Sequence, residues 1–599
     1  MRGGFGRRIS SGDEEDFSLK KLDKRAVKFL YKYLKQHSKK LFFAIISMLL
    51  VTLTSLAGPY LSKVAIDSFI ASGDLKGLNI IFLLMVLSYG VYWLFSYFQT
   101  YLSKWIGEKI VGSIREDLYN HLQDLSINFY NKRNTGDIMA RVTHDVNALS
   151  DLVSAGFVHL LNDFFTMLGI VIIMLLLDVR LALISFITIP FIFFAVKFLG
   201  KRMREAYSEV REKLAELNAD VEENLSGIRL VQALNREAQN EGDFNKLSWQ
   251  NLKANLAAAS YFALLFPVME LSKVLGEALI LTYGGFAVVQ GTITIGVIVA
   301  FMGYVRRFFA PLADLSQVYN TYQAAGAALD RIYEYMSEEI TIQESKNPVM
   351  IDDEFKGKIT FCDVNFSYNE NEKVIEDLNL EIEAGEIFAL VGSTGAGKTT
   401  LVKLLTRLYD VDQGNIYLDD LNLQDISIES LRKTISVVPQ NIFLFDSTVM
   451  ENIRYGNPDI DKEEVVEICK KINAHNFIKG LPKGYESRVG EGGVKLSGGQ
   501  KQLVSFARAM VTDPDILILD EATSSVDAYT EVLIQKAMDE LLKDRTVLMI
   551  AHRFATLNKA NRIGVMKNGE LIGLGGHNKL MKENEVYRDL VNKQLVNNK

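Results

Sequence analysis

Cysteine and excess positive charge are both scarce in this chain of 599 residues, and each scarcity excludes a class of protein. The only cysteines, Cys362 and Cys469, provide no disulfide framework and have no neighbours at metal-ligand spacing, so a reducing compartment is acceptable. Lysine and arginine number 66 against 73 aspartates and glutamates, a formal net charge of −7. This acidic balance argues against a nucleic-acid partner. Residues 1–40 also lack the apolar core of a cleavable signal peptide, so we expect none.

Long apolar stretches dominate the first half of the chain. Residues 41–62 and 77–103 carry no charge, and each is long enough to cross about 30 Å of hydrocarbon as a helix. Buried helices of a soluble core are the alternative, which such long uncharged stretches disfavour. We predict six transmembrane helices, over residues 41–62, 77–103, 157–177, 181–199, 259–289 and 294–318.

The distribution of charge between these stretches predicts their orientation. Lysines and arginines precede the first stretch, and the long polar connections 104–156 and 200–255 are rich in charge, whereas the short loops have few cations. The positive-inside rule therefore places both termini and the long connections in the cytoplasm, of a bacterial plasma membrane as we expect. The long connections show helical periodicity and are interpreted as extensions of the spanning helices. Residues 1–40 have the pattern of a helix on the membrane surface, or of a solvated flank.

The pattern changes to alternating strands and helices from about residue 346. The predicted fold is a membrane α-helical domain of six transmembrane helices with long cytoplasmic extensions, fused to a cytoplasmic α/β P-loop ATPase domain. We divide the chain into a cytoplasmic N-terminal segment, a transmembrane domain, a linker and a nucleotide-binding domain, over residues 1–40, 41–325, 326–345 and 346–599.

A phosphate loop follows the predicted strand 387–391 and opens a helix. Its glycines allow backbone N–H groups to converge on phosphates, and the helix N-terminus adds positive potential. Lys398 is expected to reach the outer phosphates of ATP, and the Thr399 hydroxyl to coordinate Mg²⁺. The residues predicted to bind ATP here are Gly392, Ser393, Thr394, Gly395, Ala396, Gly397, Lys398, Thr399 and Thr400.

A second part of the site is predicted at residues 516–521, where an apolar strand ends in Asp520 and Glu521. Asp520 suits the Mg²⁺ shell, and Glu521 is placed to polarise an attacking water. An acidic pair at a strand end is usually only a solvated turn. In the same chain as a phosphate loop, the catalytic interpretation is favoured.

Between these motifs stands LSGGQKQ, in which Ser497, Gly498, Gly499 and Gln500 open a predicted helix. Together with the phosphate loop and LDEATSSVD, this motif resembles the ATP-binding cassette (ABC) family. The resemblance covers essentially the whole chain, which looks like a half-transporter of the exporter type. It implies that Ser497 and its neighbours contact the γ-phosphate.

Further roles follow only from this resemblance. It implies that Tyr368 stacks on adenine, that Gln440 contacts Mg²⁺, that Asp527 lies in the D-loop and that His552 faces the γ-phosphate. Coupling helices are expected around residues 128–137 and 226–235.

The resemblance also implies a dimer of half-transporters that encloses ATP between two cassettes. A homodimer is favoured because every motif is present, and one half of a heterodimer is the alternative. The implied function is ATP-driven export of lipophilic or amphipathic small molecules, multidrug-type, across the lipid bilayer. A lipid flippase of the same fold is not separable from it by sequence. An ATPase acting on nucleic acid, or a gated channel, is disfavoured by the spans and by Glu521.

The fifth apolar stretch contains three charges, Glu270, Lys273 and Glu277, on one helix face. Facing lipid, they would cost about 8–10 kcal/mol in total, so we expect them to face the bundle or a water-filled cavity. Counting from the turn near residue 290 places Arg306 level with this face, and we predict that Arg306 or Arg307 pairs with it. The cluster is either a static ion-pair network or part of the substrate pathway.

Overall fold

The computed structural model describes residues 24–352, 354–369, 372–520, 528–551 and 557–597. Its contacts divide the chain into two compact units. The membrane unit comprises Met1–Gln123 and Asn134–Glu338, and the cassette unit comprises Asp124–Arg133 and Glu339–Lys599.

The membrane unit is built from helices. They are α1 (Lys24–Gln36), α2 (Ser38–Val64), α3 (Leu75–Asp124), α5 (Thr135–Ala140), α6 (Val146–Asp151), α7 (Phe157–Leu177), α8 (Val179–Phe186), α9 (Thr188–Ser226), α10 (Ile228–Ala233), α11 (Glu237–Val289) and α12 (Ile295–Met336). The short helix α4 (Ile127–Lys132) belongs to the cassette unit. Three π-helical segments, Ala65–Ile70, Arg141–Asp145 and Leu152–Gly156, adjoin α2, α5 and α6.

Four helical stretches among the described residues are long and apolar enough to cross a membrane: Ser38–Ile70, Leu75–Asp124, Thr135–Leu177 and Val179–Ser226. They contain the first four predicted spans. The predicted fifth span lies within α11, and the predicted sixth begins one residue before α12 and continues along it. Neither helix is among these four stretches, so the count of six stays a prediction. Helix α3 has 50 residues, which corresponds to about 75 Å at 1.5 Å per residue. It therefore extends well beyond the hydrocarbon, as expected of the long connections.

The core of the membrane unit lies where α2, α7, α8, α9, α11 and α12 meet. Phe301 and Tyr304 are fully buried there, and the Tyr304 hydroxyl donates a 2.8 Å hydrogen bond to the Leu56 carbonyl oxygen. Large apolar side chains such as Leu176 and Phe194 point outward instead, with 81% and 68% of their surface exposed. An apolar exterior around a packed interior is typical of a unit surrounded by lipid.

The cassette unit contains two sheets. Its strands are β1 (Ile359–Asn369), β2 (Glu372–Ile382), β3 (Ile387–Gly392), β4 (Gln413–Leu418), β5 (Leu421–Asn422), β6 (Ile435–Val438), β7 (Ile516–Asp520), β8 (Thr546–Ile550), β9 (Arg562–Lys567) and β10 (Glu570–Gly575). An antiparallel sheet has the order β2-β1-β4-β5, and a six-stranded sheet has the order β10-β9-β3-β8-β7-β6. Strands β9, β3, β8, β7 and β6 are parallel neighbours, and β10 is antiparallel to β9.

Helices cover the six-stranded sheet: α13 (Lys398–Leu405), α14 (Ile428–Thr434), α15 (Val449–Arg454), α16 (Lys462–Lys471), α17 (His475–Lys479), α18 (Gly498–Met510), α19 (Ala528–Leu541), α20 (His577–Glu583) and α21 (Glu585–Asn597). Residues of β3 alternate between two cores. Phe388 and Leu390 pack with the antiparallel sheet, and Ala389 and Val391 pack with α18 and α19. Both faces of this sheet are thus buried, as is usual for parallel strands.

Candidate functional site

The predicted nucleotide site lies at one edge of the six-stranded sheet. Four neighbouring parallel strands, β3, β8, β7 and β6, end at the same edge. The phosphate loop follows β3, Asp520 is the last residue of β7, and Gln440 comes two residues after β6. Glu521, Asp527 and His552 lie outside the described residues. The sheet therefore gathers phosphate-loop and Mg²⁺-ligand candidates from segments that are far apart in sequence.

Backbone geometry of the phosphate loop requires glycine at two positions. Gly395 and Gly397 have φ angles of 84° and 99°, in the left-handed region that side chains disfavour. A Cβ atom on Gly397 would also lie 2.7 Å from Ile375 Cδ1 and 3.0 Å from the Val374 carbonyl oxygen. The turn leads directly into α13, so N–H groups at the start of that helix are presented at the loop, as in an anion-binding site.

Lys398 is the buried cation of this loop, with 6% of its surface exposed. Its Nζ donates hydrogen bonds to the Gly392 and Ser393 carbonyl oxygens, at 2.8 and 2.9 Å. These bonds hold the ammonium group inside the curve of the loop. Thr399, the next residue, is exposed.

Tyr368 belongs to an aromatic cluster beside α13. Its ring meets Phe366 and Tyr409 edge to face, with ring centroids 5.0 and 5.2 Å apart. Its hydroxyl lies 3.1 Å from the Thr400 Oγ1 atom and accepts a 3.3 Å hydrogen bond from Lys403 Nζ. The predicted adenine-binding ring is thus fixed to the helix that carries the phosphate loop.

The Tyr409 hydroxyl also accepts a 3.0 Å hydrogen bond from Asn131 Nδ2. Asn131 lies in α4, within the first segment predicted as a coupling helix, and α4 belongs to the cassette unit. Contacts therefore continue from α4 through Tyr409 to Tyr368.

Ser497 caps the N-terminus of α18 in a reciprocal arrangement. Its Oγ accepts a 3.3 Å hydrogen bond from the Gln500 N–H, and its own N–H donates a 3.1 Å bond to Gln500 Oε1. The Gln500 side chain is thereby hydrogen-bonded within its own chain. Ser497 and Gly498 are exposed, and Gly499 is buried. A Cβ atom on Gly498 would meet nothing within 4 Å. The helix start is capped within its own chain and accessible.

Sequence reasoning missed the residues that anchor α18. Asn452, fully buried in α15, accepts hydrogen bonds at Oδ1 from the Phe445 N–H and from Arg508 Nη2, at 2.9 and 3.0 Å. Arg508 also donates to the Asn452 and Phe443 carbonyl oxygens, at 2.9 and 3.0 Å. Burial lowers the pKa of this arginine. The network joins the segment after Gln440 to α18. Its only sequence sign was the pair Thr448 and Glu451, which forms a capping box that starts α15.

In the membrane unit, the predicted charged face of α11 forms two ion pairs. Arg306 Nε lies 2.6 Å from Glu277 Oε1, the pairing expected from counting along the hairpin. Lys273 Nζ lies 2.6 Å from Glu270 Oε1. Arg307 instead lies near Gly58, where a Cβ atom would be 3.6 Å from its Nη2.

A cleft of about 450 Å³ opens beside these ion pairs. It is lined by Phe266, Pro267, Met269, Glu270, Lys273, Arg306, Phe309 and Ala310. The Glu270 and Arg306 side chains are 63% and 59% exposed, whereas that of Glu277 is 15% exposed. The cleft thus presents one accessible carboxylate and one accessible guanidinium among apolar walls.

Family models of known proteins match both the membrane unit and the cassette unit. Residues 41–312 match the family model of the ABC transporter transmembrane region, and residues 375–524 match that of the ABC transporter. The chain is 35% identical to the "Putative multidrug export ATP-binding/permease protein YgaD" of Bacillus subtilis, over 94% of this chain and 98% of that protein. It is also 35% identical to the "ATP-dependent lipid A-core flippase" of Syntrophus aciditrophicus, over 96% and 95% of the two chains.

Among solved structures, the chain resembles a bacterial Atm1-family ABC exporter with ATP bound. The TM-score is 0.75 and the identity 26%, with 93% of this chain and 98% of that chain covered. These likenesses agree with the helical membrane unit and with the cassette sheet and its phosphate loop. The chain therefore belongs to the ABC transporter family, with the fold of an exporter whose ATPase domain drives transport.

Proposed function

We propose that this chain is one half of a homodimeric exporter that moves lipophilic or amphipathic small molecules out of a bacterial cell. The observation that carries this proposal is the pairing of a preformed phosphate loop with an accessible Ser497 motif in one chain. Two such chains supply two complete ATP sites. A relative at 35% identity named for multidrug export supports this class of cargo.

Within each site, the side chains have distinct roles. Lys398 neutralises the outer phosphates from inside the loop, and Tyr368 stacks on adenine. The oxygen atoms of Thr399, Gln440 and Asp520 are of the type that Mg²⁺ prefers, and their places beside the phosphate loop and at the ends of β6 and β7 suit one ion. Magnesium would supply charge neutralisation at the β- and γ-phosphates.

Hydrolysis requires an oriented water. Glu521 follows Asp520 directly in the sequence, and we assign its carboxylate to accept a proton as water attacks the γ-phosphorus and the bond to ADP breaks. His552 follows Ala551 at the end of the neighbouring strand β8 and is assigned to the γ-phosphate. Asp527 is assigned to the contact between cassettes. Ser497, Gly498, Gly499 and Gln500 of the second copy close the site, because an exposed helix N-terminus attracts phosphate.

Cargo is proposed to pass the cleft beside α11 and α12. Its apolar walls suit a lipophilic body, and the accessible Glu270 and Arg306 side chains suit a polar head. Ionisable groups in a spanning segment are costly in lipid, so their presence favours a water-accessible pathway. We assign both termini and both coupling segments to the cytoplasm, where ATP is available, from the distribution of lysine and arginine between the apolar stretches.

ATP hydrolysis by the chain alone in lipid nanodiscs tests the homodimer. We expect robust activity that the Glu521→Gln variant loses, and that Glu463→Gln, an exposed glutamate of α16, retains. Negligible activity from the well-folded unsubstituted chain would show that a different partner chain is required.

Transport by Glu277→Gln and Arg306→Gln variants tests the pathway. Loss of the Glu277–Arg306 pair is expected to change which cargos stimulate hydrolysis, while basal hydrolysis persists. If the variants are less stable but their cargo selectivity is unchanged, the pair is only a static connection between two helices. Stimulation by phospholipid rather than by drug-like compounds would identify a flippase.

A further inference from the structure

A basic segment precedes the first apolar helix. Residues 24–40 contain six lysines, one arginine and no carboxylate, in a chain whose net charge is −7. Helix α1 is held in place by Tyr33, which is 2% exposed and donates a 2.6 Å hydrogen bond to Asp117 Oδ2 of α3. Lys28, Lys32 and Lys35 are exposed on the same helix. The cations are therefore displayed on a fixed surface.

Two lysines surround an aromatic ring at the end of this segment. Lys40 Nζ lies 3.0 Å from the centroid of the Trp105 ring, and Lys109 Nζ lies 5.9 Å from it. The His37 ring meets Trp105 edge to face, with centroids 5.5 Å apart. Trp105 is half-buried, and Lys39, Lys40 and Lys109 are exposed. We name Lys39, Lys40, Trp105 and Lys109 the boundary cluster.

The boundary cluster lies where two membrane-spanning helices change from apolar to charged sequence. The uncharged stretch of α2 begins at Leu41, directly after Lys40, and that of α3 ends at Ser103, directly before Lys104. Contact between Lys40 and Trp105 places these two ends side by side. Tryptophan and lysine are the residues that anchor a helix at the headgroup level.

We propose that the boundary cluster binds the headgroup of an anionic phospholipid. The lysine ammonium groups neutralise the headgroup phosphate, and the Trp105 ring lies against the glycerol region, where amphipathic rings are favoured. Glu108, the nearest carboxylate in sequence, accepts a 3.4 Å hydrogen bond from Ser150. Lipid binding here uses none of the residues assigned to the nucleotide site or lining the cleft beside α11.

Fluorescence quenching of Trp105 by brominated lipid tests this site in the full-length protein. The chain has three tryptophans, so the background Trp93→Phe/Trp249→Phe leaves Trp105 alone. Quenching is compared in nanodiscs that contain brominated phosphatidylglycerol in phosphatidylcholine, and in nanodiscs with the bromine on phosphatidylcholine. We expect a preference for phosphatidylglycerol of about fivefold or more, the effect of one basic side chain at such a surface.

The triple variant Lys39→Gln/Lys40→Gln/Lys109→Gln is expected to bring this preference close to one, and Lys40→Gln alone to an intermediate value. The matched variant Lys246→Gln/Lys253→Gln/Lys470→Gln removes three exposed lysines elsewhere and should keep the preference. Equal quenching by both lipids, or a preference that survives in the triple variant, would overturn the proposal. So would loss of the preference on adding inorganic phosphate, because the site would then recognise a soluble anion.

Discussion

Replacing Asn452 by alanine tests how the segment after Gln440 is joined to α18. The Asn452 side chain makes five hydrogen bonds at 2.9–3.0 Å, to Phe445, Ser447, Thr448 and Arg508. Alanine leaves the Phe445 N–H and one Arg508 N–H without this acceptor in a partly buried position. Each unsatisfied donor costs about 1–3 kcal/mol, so we expect a loss of about 4 kcal/mol.

Thermal unfolding of the purified full-length protein measures this loss. For a domain of this size, 1 kcal/mol corresponds to about 2–4 °C, so the midpoint of the cassette transition should fall by about 10 °C at a fixed scan rate. Asn476→Ala changes an exposed asparagine of α17 and should shift stability by no more than about 0.5 kcal/mol.

The double variant Asn452→Ala/Arg508→Leu distinguishes the cost of unsatisfied hydrogen-bond donors from the cost of lost packing. Removing both partners should cost less than the sum of the single changes, because the orphaned arginine donor is no longer present. A fall of less than about 2 °C in Asn452→Ala, or strict additivity in the double variant, would refute the reasoning from unsatisfied donors.

Three further predictions concern the cassette unit. Gly397→Ala should abolish ATP binding, measured with a fluorescent nucleotide analogue, because φ is 99° and the new Cβ would lie 2.7 Å from Ile375. Gly498→Ala has open space around it and should retain ATP binding at the phosphate loop of the same chain. Burial raises the pKa of the Cys469 thiol from 9.0 to about 11, so the unfolded chain releases this proton at lower pH. The free energy of unfolding should then fall from pH 9 to 11, less steeply in Cys469→Ala, and an equal slope in both proteins would contradict the assignment. Asn131→Ala, which removes the bond to the Tyr409 hydroxyl, should lower the stimulation of hydrolysis by cargo; stimulation equal to that of an Asn128→Ala control would show that this contact carries no coupling.

Local sequence determined the phosphate-binding half of the site. The two strands predicted beside the site, over residues 387–391 and directly before the acidic pair at 520–521, correspond to β3 and β7. A glycine-rich turn between a buried strand and a helix has few possible conformations, so its geometry follows from neighbouring residues. The cap at Ser497 is also local, since it involves only residues three apart.

Contacts between segments that are far apart in the sequence were harder to predict from the sequence alone. Asn452 and Arg508 are 56 residues apart, and nothing in either neighbourhood identifies the other. Within residues 104–156, the predicted extension of the spanning helix α3 ends at Asp124, and the separate helices α4, α5 and α6 follow it, with a π-helical segment on either side of α6. Periodicity of 3.6 residues does not distinguish one long helix from several short ones, because each repeats the same pattern.

Hairpin geometry accounts for the ion pair that the sequence predicted. Antiparallel helices joined by a tight turn keep residues level at equal distances from the turn, because both rise about 1.5 Å per residue. Glu277 precedes Gly291 by as many positions as Arg306 follows Thr292, and the Glu277 and Arg306 side chains pair.

The same geometry accounts for a contact that the sequence reasoning missed. Lys40 precedes Ser72 by as many positions as Trp105 follows Gly73, and the Lys40 and Trp105 side chains are also in contact. The rule therefore holds along the first hairpin despite its π-helical segment Ala65–Ile70. Counting outward from that turn would have placed a lysine over Trp105, so the boundary cluster was within reach of the sequence.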